Sequence, residues 1–238
     1  MKRMMNDECG MMNEKRKGTS IHHSSFIIHH SKPKSRILSA KAVREAERHL
    51  SLSCQVMARL VAEHGPCQLA NREFRPFHTL VTSIISQQLS TKAADTIERR
   101  VLGLVPAFSP SGFLDVPSEA LREAGLSAAK AKCILELAAR ISDGRLDFEA
   151  LLDQSDDDVM AALTEVWGIG RWTAEMFLIF GLKRPDVLAL GDGGLQRAVR
   201  LLYGDEATLE KNGQAWKPYR SVASWYLWRH LESTRAAS

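Results

Sequence analysis

Two helical patterns meet at Gly168-Ile169-Gly170 with almost no chain between them, and the second of the two is apolar nearly all round. Residues 163–176 read Leu-Thr-Glu-Val-Trp-Gly-Ile-Gly-Arg-Trp-Thr-Ala-Glu-Met. Over 173–181, Ala174, Met176, Phe177, Leu178, Ile179 and Phe180 leave no polar stripe. A helix without a polar face has to be enclosed by other elements. The chain must therefore wrap this segment, and the rest of the sequence offers helices to do so.

Ser39 is placed to cap a helix through Ala42, Ala46 and His49, continuing near 54–62 and stopping at Gly65-Pro66. Phe77, Leu80, Val81, Ile84 and Ile85 recur at the spacing of one helix face. Gln87-Gln88-Leu89-Ser90 interrupts them, and Ser90 or Thr91 then caps a helix bearing Ala93, Ala94, Ile97 and Val101. Residues 106–117 read as a linker. Segments 118–125 and 127–141 form a second helix–turn–helix, ending at Gly144. Ser155 and Asp158 have capping-box spacing ahead of 159–166. Lys183-Arg184-Pro185 stops the apolar helix, and helices over 194–203 and 219–231 complete the set. Convincing period-2 strands are absent, so the predicted fold class is all-α.

The bulk properties narrow the function. With 238 residues and 45% apolar content, the chain can bury one large core. Its net charge is +4, yet residues 1–36 hold eight Lys/Arg against three acids, +5, which leaves −1 for the remainder. Any grip on a polyanion must then come from a local patch rather than a global field. Residues 1–36, with the His22-His23 and His29-His30 pairs, read as a disordered basic tail, and 37–238 as the folded domain with its hairpin at about 156–181. Cys9, Cys54, Cys67 and Cys133 show no CxxC spacing, which argues against a zinc ribbon or iron–sulfur cluster and suits a reducing cytoplasm. No apolar run approaches the roughly 18 residues of a membrane span, and no secretory signal follows the basic N-terminus.

The hairpin and its neighbour carry the chemistry. Gly168 and Gly170 permit a tight turn and let a phosphate approach the backbone, and the helix starting after Gly170 offers free N–H groups to an anion. A plain structural turn reads equally well from the glycines alone. Asp192, between Gly191 and Gly193, is either a reactive carboxylate or the cap of the helix over 194–203. Asp186 reads as a structural acid. Asp156-Asp157-Asp158 reads as a helix N-terminus, where acids favour the dipole, in preference to a metal-dependent phosphodiesterase site.

Leu163, Val166, Gly168, Ile169, Gly170, Thr173 and Ala174, followed by Pro185-Asp186-Val187 and Gly191-Asp192, resemble the helix-hairpin-helix/Gly-Pro-Asp (HhH-GPD) signature of base-excision DNA glycosylases. Gly-Ile-Gly-Arg-Trp-Thr-Ala and Trp216-Lys-Pro-Tyr-Arg-Ser221 are similar to the alkylpurine branch, 3-methyladenine DNA glycosylase II. The resemblance spans about residues 76–228. It implies two helical subdomains flanking an active-site cleft, and a monomeric cytoplasmic enzyme, nucleoid-associated if bacterial. The implied partner is double-stranded DNA containing alkylated purines, with no membrane involved.

By that resemblance Asp192 is catalytic. Hydrolysis of the N-glycosidic bond creates an oxocarbenium-like sugar that one carboxylate can stabilise, and an alkylated purine already carries positive charge, so it needs no general acid to leave. Relatives that also cut the backbone carry a Schiff-base lysine where this chain has Trp172, and an indole cannot form that adduct. The C-terminal cysteine cluster of the endonuclease III branch is missing too. A monofunctional glycosylase that leaves an abasic site is therefore expected. A glycosylase for another lesion, or a non-catalytic DNA-binding hairpin module, are the alternatives.

The flipped base would meet a pocket of Trp172 and Trp228, bordered by Phe77 and His78, with Gln88 as the wedge filling the vacated stack. Gly168, Gly170, Thr173, Gln88 and Ser90 would face the DNA. No redox cofactor is implied. A structural monovalent or divalent cation held by the backbone carbonyls of Thr164 and Val166 is. Only about 40 residues separate the tail from Phe77, too few for the mixed β domain of the larger bacterial relatives, so the compact all-helical subtype is expected.

Overall fold

Serine, threonine and aspartate side chains start most of the helices, because each accepts an N–H that the first turn leaves unpaired. The computed structural model describes residues 37–236; the segment 1–36 read as a basic tail, with its histidine pairs and Cys9, lies outside the described residues. Ser39 caps α1 (Ala40–Ser53), as its spacing predicts. Extended backbone at Cys54 breaks the run before α2 (Gln55–His64), which ends at Gly65 with φ 68°. A 3-10 turn, Leu69–Asn71, leads to α3 (Pro76–Ser86), whose proline occupies the first turn. Ser90 caps α4 (Thr91–Leu104).

The stretch 106–117 is not simply a linker. It contains α5 (Pro110–Leu114), capped by Ser109 and anchored by the fully buried Phe113. Five residues are too few to show a period, so burial of one phenyl ring carries the element. Then come α6 (Ser118–Glu123) and α7 (Ala128–Ser142, capped by Ser127), joined through Gly125 at φ 112° as the second helix–turn–helix. Two further short helices escape the sequence pattern for the same reason: α8 (Phe148–Leu152, capped by Asp147) and α12 (Leu209–Gly213, capped by Thr208). Between them lie α9 (Asp156–Thr164, capped by Ser155), α10 (Arg171–Met176) and α11 (Gly193–Tyr203). The last element is α13 (Arg220–Ala236). Among the described residues there is no strand.

The all-round apolar segment is buried as expected, with Ala174, Phe177 and Ile179 at 0% exposure. It is not one regular helix, however. After Met176 it widens into a π-helical turn, Phe177–Gly181. Gly181 is required there: a Cβ would stand 2.7 Å from the Phe177 ring.

The two ends of the described chain pack together. α1 and α2 lie on each other and on α13, which also packs on α11. The middle of the chain makes the second group, with α5 and α6 on α7, and α3 on α4 and α7. α10 and its π-helical extension pack on α3, and α10 also packs on α9. No helix among the described residues is long and apolar enough to cross a membrane.

Arg184, read from the sequence only as part of a stop signal, is 1% exposed. Its Nη2 donates to the carbonyls of Leu151, Leu152 and Gln154 at 3.3, 3.0 and 2.8 Å, and its Nε lies 3.2 Å from Asp156 Oδ1. The guanidinium thus pins the exit of the π turn to the junction of α8 and α9. Arg184→Met should cost about 3 kcal/mol, since it strands buried acceptors, and should lower the urea midpoint accordingly.

Candidate active site

The hairpin is built from α9, α10 and one close contact with α7. The Ile169 N–H donates to Val166 O at 3.0 Å, and Ile169 is buried as the anchor between the helices. Gly168 has φ 88°, and a Cβ there would sit 3.0 Å from both Cβ and Sγ of Cys133 on α7. Both observations demand glycine. Gly170 differs from the expectation. Its φ of −98° is open to any residue, and it serves as the N-cap of α10. Nothing stands within 4 Å of where its Cβ would be, so its backbone faces open space.

Thr173 does not face outward either. It is 1% exposed, and its Oγ1 accepts a hydrogen bond from Gln87 Nε2 at 2.9 Å. The same Gln87 amide reaches Gly168 O at 3.4 Å. Lys130 on α7 donates to the carbonyls of Ile85 and Gln87, both at 2.8 Å. The loop after α3 is thereby fastened to the hairpin. Gln88, at its tip, is exposed with φ 56°, and Leu89 beside it is 40% exposed. Ser90 is exposed, but its hydroxyl is engaged as the cap of α4. Gln87 and Lys130 carried no sequence signal, because their partners lie 86 and 45 residues away.

Asp192 is the cap that one of its two sequence readings expected. It caps α11, its Oδ1 accepting from Leu195 N at 2.7 Å. It also accepts the indole N–H of Trp228 on Oδ1 at 3.0 Å and that of Trp172 on Oδ2 at 2.7 Å. Three donors from α10, α11 and α13 fix one carboxylate, which is 7% exposed. A carboxylate has about four acceptor positions, so one remains, on Oδ2. Trp172 and Trp228 were expected as pocket walls, and their use as clamps on the acid is the finding. Gly194 makes room for this: a Cβ there would lie 3.1 Å from Asp192 Oδ1 and 3.4 Å from Trp228 Nε1.

The indoles also line clefts. Trp172 borders one of about 390 Å³ between α3, α4 and α10, which also presents Asp95, Glu98 and Leu89. Trp228 borders one of about 560 Å³ with Trp225. Phe180 and Arg72 line both, the Arg72 guanidinium lying 5.1 Å over the Phe180 ring, while Phe180 and Trp228 stack at 5.5 Å. Phe77 and His78 border neither cleft. Phe77 is buried against Phe113, and His78 packs on Phe108 with its Nε2 3.5 Å from Glu98. Phe77 thus turns toward α5 and His78 toward Phe108 just before it, within the stretch the sequence reading took for linker. Asp186 is structural, as read: it pairs with Arg220 through Oδ1 and Oδ2 at 2.7 and 2.9 Å.

Glu175 was missed, since a lone acid inside an apolar helix gives no pattern. It is 3% exposed and accepts from the Nε of Arg171, an outward-facing side chain, at 2.8 Å. Burial pushes its carboxyl above the ordinary carboxylate range, opposed by the Arg171 bond and aided by the nearby Asp192 charge. A carboxyl whose folded pKa is raised stabilises the fold below its unfolded pKa and loses that contribution as pH rises through the folded value. Glu175→Gln should therefore gain stability relative to the parent from pH 4 to pH 8, read as the difference in thermal midpoint.

A hairpin with a free helix start, a fastened loop at its side and a clamped aspartate behind it define a helix-hairpin-helix protein with a built acid site. Comparison with known proteins agrees. Residues 81–218 match the model of the HhH-GPD superfamily of base excision DNA repair proteins. The chain belongs to that superfamily. It is 30% identical to DNA-3-methyladenine glycosylase 1 of Schizosaccharomyces pombe over 202 residues, 79% of this chain and 87% of the relative. A solved DNA-3-methyladenine glycosidase of Bacillus halodurans shares 41% identity at a TM-score of 0.64, over 77% of this chain and 88% of the other. A solved S. pombe 3-methyladenine DNA glycosylase in complex with abasic DNA shares 30% identity at a TM-score of 0.67, over 78% and 95%.

Proposed function

We propose that the protein is a monofunctional DNA-3-methyladenine glycosylase that extrudes alkylated purines from duplex DNA, hydrolyses the N-glycosidic bond and leaves an abasic site. The observation that carries this reading is the carboxylate of Asp192, aimed by two indole N–H groups beside a hairpin whose lysine position is Trp172. The relatives' activity and the DNA complex support the substrate class.

The chemistry follows from the geometry. As the base departs, positive charge grows on the sugar. A carboxylate about 4 Å from that charge contributes about 4 kcal/mol at an effective dielectric of 20, roughly a thousandfold in rate. Its fixed orientation avoids reorganisation at the moment of reaction. The remaining acceptor position on Oδ2 can orient the attacking water. Gly168 and Gly170, with the first N–H groups of α10, hold a phosphate. Gln88 and Leu89 at the loop tip stand ready to fill the vacated stack. A cation at the hairpin would take the carbonyls of Thr164 and Val166, the latter while also accepting the Ile169 N–H, at the negative end of α9, whose last turn has no basic residue. Arg140 takes the intervening Glu165 carbonyl at 2.9 Å. Such an ion would strengthen the hold on a phosphate and takes no part in the bond cleavage.

Incubation with methylated DNA should release 3-methyladenine, identified by mass, and borohydride should trap no protein–DNA adduct; an adduct or no released base would overturn the reading. Asp192→Asn should lose roughly a hundredfold or more of the release rate, because its amide would face an indole donor and no longer offers a charge. Gly194→Ala should lower the rate roughly tenfold by displacing Trp228. Gly191→Ala and Gly193→Ala, which meet nothing within 4 Å, should stay near the parent.

A further inference from the structure

We propose that Glu63, His64 and His230 form a binding site for a divalent transition-metal ion of the zinc class, which clamps the end of α2 to α13. Two imidazole nitrogens point to it. His64 Nε2 and His230 Nδ1 are both buried and have no hydrogen-bond partner. The His64 side chain is 6% exposed. Both nitrogens converge on one carboxylate oxygen: Glu63 Oε1 lies 3.9 Å from His64 Nε2 and 4.0 Å from His230 Nδ1. All three atoms lie within 4.8 Å of one another.

The donor set suits the ion. Two imidazoles and a carboxylate are a ligand set that zinc takes, with a fourth position left for water. Metal–ligand lengths of about 2.1 Å put tetrahedral ligands about 3.4 Å apart, so each glutamate–histidine distance needs to close by roughly half an ångström, and the two ring nitrogens, within 4.8 Å of each other, by up to about 1.4 Å. Glu63 is half exposed at the C-terminal turn of α2 and free to make its part of that movement, while a turn of the His230 ring makes the rest. The same turn carries the negative end of the helix dipole, which favours a cation. The rings lie edge to face at 5.7 Å and do not stack over one another. His64 lines the 560 Å³ cleft, which gives an ion and its water access.

The clamp has a structural consequence. His230 follows Trp228 by two residues on α13, and Trp228 holds Asp192. An ion at this site would fix the segment that carries that indole. It does not touch Asp192, and the proposal is independent of the glycosylase reading.

The test uses the full-length chain, stripped of metal, with His22, His23, His29 and His30 replaced by alanine throughout so that the histidine pairs of residues 1–36 do not bind the probe. Calorimetric titration with zinc chloride should show one ion per chain at micromolar affinity. At 100 μM zinc the thermal midpoint should rise by about 5 °C. Cobalt(II) should give the intense visible bands of a four-coordinate site. His230→Gln and Glu63→Gln should each weaken binding at least tenfold; they sit on less buried side chains than His64, so folding is retained. Absence of binding at 100 μM zinc, or equal binding by the parent and both variants, would overturn the proposal.

Discussion

Everything in the candidate site depends on one carboxylate held by three donors. Leu195 N, Trp172 Nε1 and Trp228 Nε1 reach Asp192 from α11, α10 and α13. Hydrogen bonds to a carboxylate are stronger than neutral ones, and the two from the indoles also join helices distant in sequence. Trp172 belongs to the hairpin helix and Trp228 to the last helix, 36 residues beyond the acid. The interaction thus couples the hairpin to the helical group made by the chain ends. The loop after α3 is coupled separately, through Gln87 and Thr173. Loop, hairpin and acid therefore form one linked unit around the buried segment 173–181.

Burial explains why that unit is rigid. The segment after the hairpin has no polar face, so its position is set by packing on all sides. Gly168 against Cys133 and Gly181 beneath Phe177 allow approaches that a side chain would block. Arg184 then anchors the exit with three carbonyl bonds and the Asp156 contact. The thiol of Cys133 is pushed up to about 12 by burial, which makes it a packing group rather than a nucleophile. In the proposed function the chemistry falls to the clamped acid.

Much was legible in the chain. Ser39, Ser90, Ser155 and Asp192 marked the starts of α1, α4, α9 and α11, because an N-cap is a local interaction. Gly-Ile-Gly and the following apolar run located the hairpin. Other features depended on distance. The short helices α5, α8 and α12 are too brief for periodicity and exist because residues such as Phe113 find a core. Phe77 turned away from the clefts for the same reason, toward α5.

The sequence by itself determined an all-helical body, a hairpin carrying Trp172 and an acid in a glycine loop, since each rests on neighbours a few residues apart. Only the tertiary structure decided what those groups do together. It turned Gly170 into an ordinary cap, drew Thr173 inside and aimed two indole N–H groups at Asp192. It also brought His64 to His230. Those outcomes need contacts between residues many positions apart, which no local pattern encodes.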